Sequence, residues 1–201
     1  MGMGAMRYNP VRIVFALVQK ALRIWRRTYW WFLCPSLRLA YAGQGSSISV
    51  TDGGSLSSAA RLVLSDHSSI TVKFGTMRIG RDAFFGNGTV IVCREEISIG
   101  DNVLFAEHVT IRDQDHIFGP GLITAKSGFE TEPVKIGNNV WLGAKVTVTK
   151  GVTIGDNSVV GANSVVTKDL PANCVAAGSP ARVVRMIDGP GAAPSPSAGG
   201  A

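Results

Sequence analysis

Acidic residues are missing from the start of this chain. None precedes Asp52, whereas seven basic residues do: Arg7, Arg12, Lys20, Arg23, Arg26, Arg27 and Arg38. The whole chain holds 20 Lys and Arg against 14 Asp and Glu, a net charge of +6. The part after Asp52 is therefore close to neutral, which argues against a nucleic-acid surface, since that needs a basic stripe on the folded body. Cysteine is scarce too. The 3 cysteines, Cys34, Cys93 and Cys174, lie far apart with no CxxC pair. That excludes a disulfide framework and a zinc ribbon, and it suits reduced thiols in a cytoplasmic protein. Charges interrupt every apolar run well short of the roughly 20 residues of a membrane span.

What the chain has is a rhythm of six. Apolar residues recur at Ile136, Leu142, Val148, Ile154, Val160 and Val166, each followed by Gly or Thr. Four residues after each marker stand Val140, Val146, Val152, Ser158, Ser164 and Leu170. The same step runs through Ile79, Phe85 and Ile91, and through Ile99, Phe105 and Ile111. A helix repeats at about 3.6 residues and a strand alternates at about 2, so neither explains six. Short strands joined by tight corners do, with Asn138-Asn139 and Asp156-Asn157 accepting left-handed backbone. Such repeats predict an all-β solenoid, in which each coil buries its face against its neighbours. The spacing slips twice, between Ile91 and Ile99 and between Ile111 and Ile136. Residues 46–75, SSISVTDGGSLSSAARLVLSDHSSITVKFG, scan poorly as repeats.

At 201 residues the chain is one domain with appendages. Residues 1–45 read as a basic, aromatic, helical segment. Pro10 suits a first helical position, and Val11, Val14, Phe15, Val18, Leu22 and Trp25 share a face. Two placements remain open: packed on the solenoid, or lying on an anionic membrane surface. Ala40-Tyr41-Ala42 imitates a signal-peptidase site, but Arg38 and the charged middle oppose that reading. Residues 46–187 form the solenoid domain. Residues 188–201, rich in Gly, Pro, Ser and Ala, read as a disordered tail.

The stretch VTIRDQDHIFGP, residues 109–120, sets Asp113, Asp115 and His116 where the rhythm stops. The stretches IGDNVLFAEHVTIRDQDH and IGNNVWLGAKVTVTKGVTIGDNSVVGANSVVTKDLPANCVAAGSPARVVR resemble the hexapeptide-repeat acyltransferases, in particular the galactoside, maltose and nodulation-factor O-acetyltransferase branch. The resemblance covers about residues 75 to 187. It implies a left-handed parallel β-helix of three strands per coil, assembled as a homotrimer with acetyl-CoA in a groove between subunits. Residues 117–133 would be the projecting loop of that family, and His116 its catalytic histidine.

The implied reaction moves an acetyl group from acetyl-CoA to a hydroxyl of a sugar or surface-glycan intermediate. A neutral imidazole accepts the hydroxyl proton near neutral pH. Asp113 or Asp115 would orient that imidazole, or both are simply corner residues. By the same resemblance Ala144 supplies an oxyanion-binding amide, and Asn87 and Trp141 lie near the acceptor. Ala162, Thr167, Lys168, Arg182 and Arg185 match cofactor contacts. The last three carry the charge that CoA phosphates require.

Other readings keep the fold. Serine, an amino sugar or an antibiotic hydroxyl is the alternative acceptor, and the surroundings RDQDHIF depart from the sugar-acetyltransferase pattern. A non-catalytic trimeric scaffold explains the repeats but not the conjunction of His116, Trp141, Lys168 and Arg182. Zinc-binding carbonic anhydrases share the architecture and use three histidines. Here His108 and His116 are spaced unlike that family's close pair, and His67 and His108 read as exposed corner residues, so no metal site is expected.

Overall fold

The computed structural model describes Ala21, Leu37, residues 39–123 and residues 126–188. The expected N-terminal helix and C-terminal tail lie outside the described residues. What is described is a parallel β-helix of about six turns with three sheets as its sides. The first sheet runs from Leu39–Ala42 through Leu62–Leu64, Phe84–Phe85, Leu104–Phe105, Trp141–Leu142 and Val159–Val160 to Cys174–Gly178. The second holds Ser47–Thr51, Ser69–Lys73, Val90–Cys93, Thr110–Arg112, Thr147–Val148 and Val165–Val166. The third holds Ser55–Ala60, Thr76–Arg81, Glu96–Ile99, Val134–Ile136 and Thr153–Ile154. Successive coils pair in parallel, and only the final strand, Ala181–Met186, folds back antiparallel on the first sheet.

Every marker of the six-residue rhythm points into the core. Ile136, Leu142, Val148, Ile154, Val160 and Val166 are buried, and so are the residues four further on. Like residues stack coil over coil: Phe85 and Phe105 lie 4.8 Å apart and nearly parallel, the natural spacing of adjacent strands. Residues before about 70, which scan poorly, continue the same helix. Their strands are longer and bury alternate residues, as Ile48, Leu56, Leu62, Leu64, Ile70 and Val72 show. Coil-to-coil partners there stand 21 to 23 residues apart, against 18 in the later coils, so a template of six cannot register them.

The corners explain the glycines and asparagines. On the edge between the third and first sheets, Asn139, Asn157 and Asn173 all have positive φ, and their side-chain amides form a ladder at 3.1 and 2.9 Å. Next to it, Asp156 accepts the Asn138 N–H at 2.7 Å by passing over Gly137. A Cβ on Gly137 would collide with that carboxylate, so the glycine is needed for close approach.

Candidate active site

The first slip in the rhythm adds a two-residue corner, Arg94-Glu95, between the second and third sheets. One coil later Asp113 occupies the same edge with its side chain turned inward and fully buried. Its carboxylate accepts the Arg94 N–H at 2.9 and 3.0 Å and the Glu95 N–H at 2.8 Å. A buried carboxylate must find such donors, and these bonds anchor the point where the chain leaves the helix.

The second slip is a hairpin arm. Gln114–His116 pairs antiparallel with Phe129–Thr131, in the register Gln114 to Thr131, Asp115 to Glu130 and His116 to Phe129. His116 thus stands on the outgoing strand of the arm, exposed, three residues past the buried Asp113. The arm is tied down by Lys150 from the following coil, which meets Glu132 at 2.5 Å and Glu130 at 3.8 Å. The hydrogen bond to Glu132 raises the Lys150 pKa above the ordinary lysine value, and Glu132, Glu130 and Asp115 add charge of the same effect. Gln114 is buried at the root, and its side-chain oxygen has no hydrogen-bond partner.

The imidazole of His116 lies against the ring of Phe129, with centroids 4.2 Å apart and planes tilted by 39°. The Arg94 guanidinium lies over the same ring, 3.6 Å from its centroid. A cation placed so is held by roughly 0.5–2 kcal/mol, depending on its desolvation. No hydrogen bond joins Asp113 or Asp115 to the imidazole among the described residues. Asp113 is committed to backbone amides, and Asp115, one residue from His116 on an extended strand, faces the other way.

The remaining candidates occupy two edges and one face. Asn87, Ala144 and Ala162 lie on the edge between the first and second sheets. The Ala162 corner adjoins the turn before the last strand, where Gly178 donates to the Ser164 hydroxyl at 3.0 Å. That last strand carries Arg182 and Arg185, both exposed. Thr167 and Lys168 lie on the other edge, with the His116 arm. The two edges stand at opposite ends of the second sheet's strands, about 15–20 Å apart. Trp141 projects from the outer face of the first sheet in line with Leu104 and Phe84, and these three are 50%, 43% and 41% exposed. The Ala144 N–H donates to no acceptor among the described residues, as at the equivalent corners Asn87 and Ala162.

Histidine and cysteine are placed as follows. His67 and His108 sit at positive-φ corners of the first edge, away from the arm. Among the described residues no cluster of three or more His, Cys, Asp or Glu is arranged to hold a metal. Cys93 is buried behind Asp113, and burial first, then the carboxylate's charge, pushes its thiol up to about 12. It is not a nucleophile at neutral pH. No helix among the described residues is long and apolar enough to cross a membrane.

Sequence reasoning passed over Arg94, Phe129 and Lys150. Arg94 and Phe129 are distant in the chain and meet only because the arm folds back. The one trace they left was the eight-residue slip between Ile91 and Ile99.

Residues 133–168 match the family model described as the hexapeptide repeat of succinyl-transferase. The galactoside O-acetyltransferase of Escherichia coli (strain K12) is 48% identical over 113 residues, covering 56% of this chain and 55% of that protein. The crystal structure of a maltose O-acetyltransferase from Clostridium difficile 630 is 32% identical with a TM-score of 0.54, covering 77% of this chain and 71% of that one. A galactoside acetyltransferase in complex with coenzyme A is 35% identical with a TM-score of 0.53, covering 72% and 66%. The chain spans about half the length of the curated relatives it matches.

Proposed function

The chain belongs to the hexapeptide-repeat acetyltransferase family, and on that premise we propose that it is an acetyl-CoA-dependent O-acetyltransferase acting on a hydroxyl of a sugar or surface glycan. The observation that carries this reading is His116, exposed at the root of the arm, with its ring set against Phe129 beside an anchored corner. The acceptor oxygen attacks the thioester carbonyl while its proton passes to His116. The C–S bond then breaks, and the CoA thiolate takes the proton back. No acyl-enzyme is needed. The Ala144 N–H, without an acceptor among the described residues, is a fixed donor suited to the developing oxyanion.

In this reading the β-helix is left-handed and the enzyme a homotrimer whose sites lie between subunits. Two features support the shared site. His116 and Lys168 occupy one edge of the chain while Ala144 and Ala162 occupy another, so a compact site needs edges from two copies. The exposed row Phe84, Leu104 and Trp141 is an apolar strip of the kind that copies of a chain cover. Of the two aspartates, Asp113 acts at a distance, by holding the root of the arm. A basic N-terminal segment bringing the enzyme to the inner face of a membrane remains part of the proposal.

The decisive test is His116→Ala. It should lower kcat by about 10²–10⁴-fold while acetyl-CoA binding and assembly persist. A variant that keeps more than a tenth of kcat would end the general-base assignment. Thiol release from acetyl-CoA, screened against sugars, sugar nucleotides and glycan extracts, identifies the acceptor.

A further inference from the structure

Arg94 is held at both ends, and among the described residues its guanidinium makes no hydrogen bond. Its backbone N–H is fixed by both oxygens of Asp113, at 2.9 and 3.0 Å. Its guanidinium rests on Phe129, 3.6 Å from the ring centroid. Among the described residues no carboxylate comes within ion-pair distance of it. Of the acids around the arm, Glu96 pairs with Arg78 at 2.6 Å, Glu132 and Glu130 pair with Lys150, and Asp115 forms no ion pair with Arg94. Even Glu95, its immediate neighbour, stays beyond ion-pair distance. A guanidinium offers five N–H donors in a planar fork that matches a carboxylate or phosphate, and here nothing among the described residues engages that fork, which is already positioned.

Its position along the edge matters equally. The Phe129 ring touches both the guanidinium and the His116 imidazole, at 3.6 and 4.2 Å, so a cation sits one ring away from the base. Arg94 lies one coil before the arm. Lys168, by contrast, lies on the far side of the arm, two coils later. The arm thus divides its edge into two cationic poles flanking His116.

We propose that Arg94 is a specificity-determining residue that binds the carboxylate or phosphate of an acidic saccharide whose hydroxyl is presented to His116. This rests on the O-acetyltransferase reading and narrows its acceptor to anionic sugars. The Lys168 pole is left for the phosphates of the acyl donor. Stacking on Phe129 makes the site pre-organised, because the arginine loses little freedom when the anion arrives.

The test uses full-length protein with glucuronate, glucose 6-phosphate and neutral methyl glucoside as probes. In wild-type protein either acidic sugar should shift the imidazole NMR signals of His116, and methyl glucoside should not. Arg94→Gln should abolish the shift, and Arg94→Lys, which keeps charge but not the fork, should retain part of it. In thiol-release assays kcat/KM for an acidic acceptor should exceed that for the neutral sugar by about tenfold or more, and Arg94→Gln should erase that ratio. Response to glucuronate alone identifies a carboxylate, and response to glucose 6-phosphate alone identifies a phosphate. The inference is overturned if neither acid shifts His116, if Arg94→Gln leaves the shift intact, or if that variant raises the KM for acetyl-CoA instead. A chain that fails to bind acetyl-CoA would sink the acetyltransferase reading itself, and the NMR shift would still report on Arg94 independently.

Discussion

The buried carboxylate of Asp113 holds the backbone of Arg94, one coil away, through both of its oxygens. One residue therefore closes the corner beneath the arm and starts the arm. Asp113→Asn preserves its shape but turns an N–H₂ toward amide donors. The variant should lose about 2–4 kcal/mol of stability, read as a lower urea midpoint. A change under about 0.5 kcal/mol, the level of an ordinary surface substitution, would mean that these bonds are incidental.

Gly88 and His108 form a second linked pair. Gly88 has φ +68, and a Cβ there would collide with Nδ1 of the His108 imidazole in the next coil. Gly88→Ala should cost about 1–3 kcal/mol, partly for the left-handed backbone and partly for the displaced ring. In a His108→Ala background only the backbone part should remain. Full additivity of the two substitutions would refute the coupling.

Lys150 makes the anchoring of the arm pH-dependent. Its hydrogen bond to Glu132 raises its pKa, so the folded state binds the proton more tightly than the unfolded chain. The stabilisation is then complete below the unfolded lysine pKa of about 10.4 and is lost as pH rises through the higher folded value. The Tm gap between wild type and Lys150→Met should be constant from neutral pH up to that range and close above it. A gap unchanged in strong alkali would show that packing, not charge, is what Lys150 contributes.

Lys168→Ala and Arg182→Ala should each raise the KM for acetyl-CoA with little effect on kcat. On the proposed donor site each would remove a charge-assisted contact of about 1.5–3 kcal/mol. Thioesters of dephospho-CoA should be insensitive to whichever of the two meets the 3′-phosphate. Unchanged KM in both variants would place the donor elsewhere.

Sharing of the site between copies is open to complementation. His116 and Arg182 lie toward different edges of one chain, so a site between copies takes them from different subunits. Refolding His116→Ala with Arg182→Ala in equal amounts should restore about a quarter of wild-type activity at low acetyl-CoA, by random mixing in a cyclic assembly. Activity no better than the mean of the two variants would put both residues in one chain's site.

The repeat was legible in the sequence because each coil buries its apolar residues only against adjacent coils. A local period of six from Ile136 to Val166 therefore reports directly on a three-sided core. Asn139 and Asn157 could be read as corners for a similar reason, since left-handed backbone favours particular residue types within a few positions. His116 stood out only as an interruption. Its surroundings were invisible, because Arg94, Phe129 and Lys150 come from three segments that no local pattern connects. The tertiary structure decided that Asp113 binds backbone and that the Arg94 guanidinium lies over the ring beside His116 with no ion pair among the described residues. Both follow from the stacking of coils, which places residues some 18 to 20 apart in direct contact while leaving sequence neighbours such as Asp115 and His116 on opposite faces of one strand.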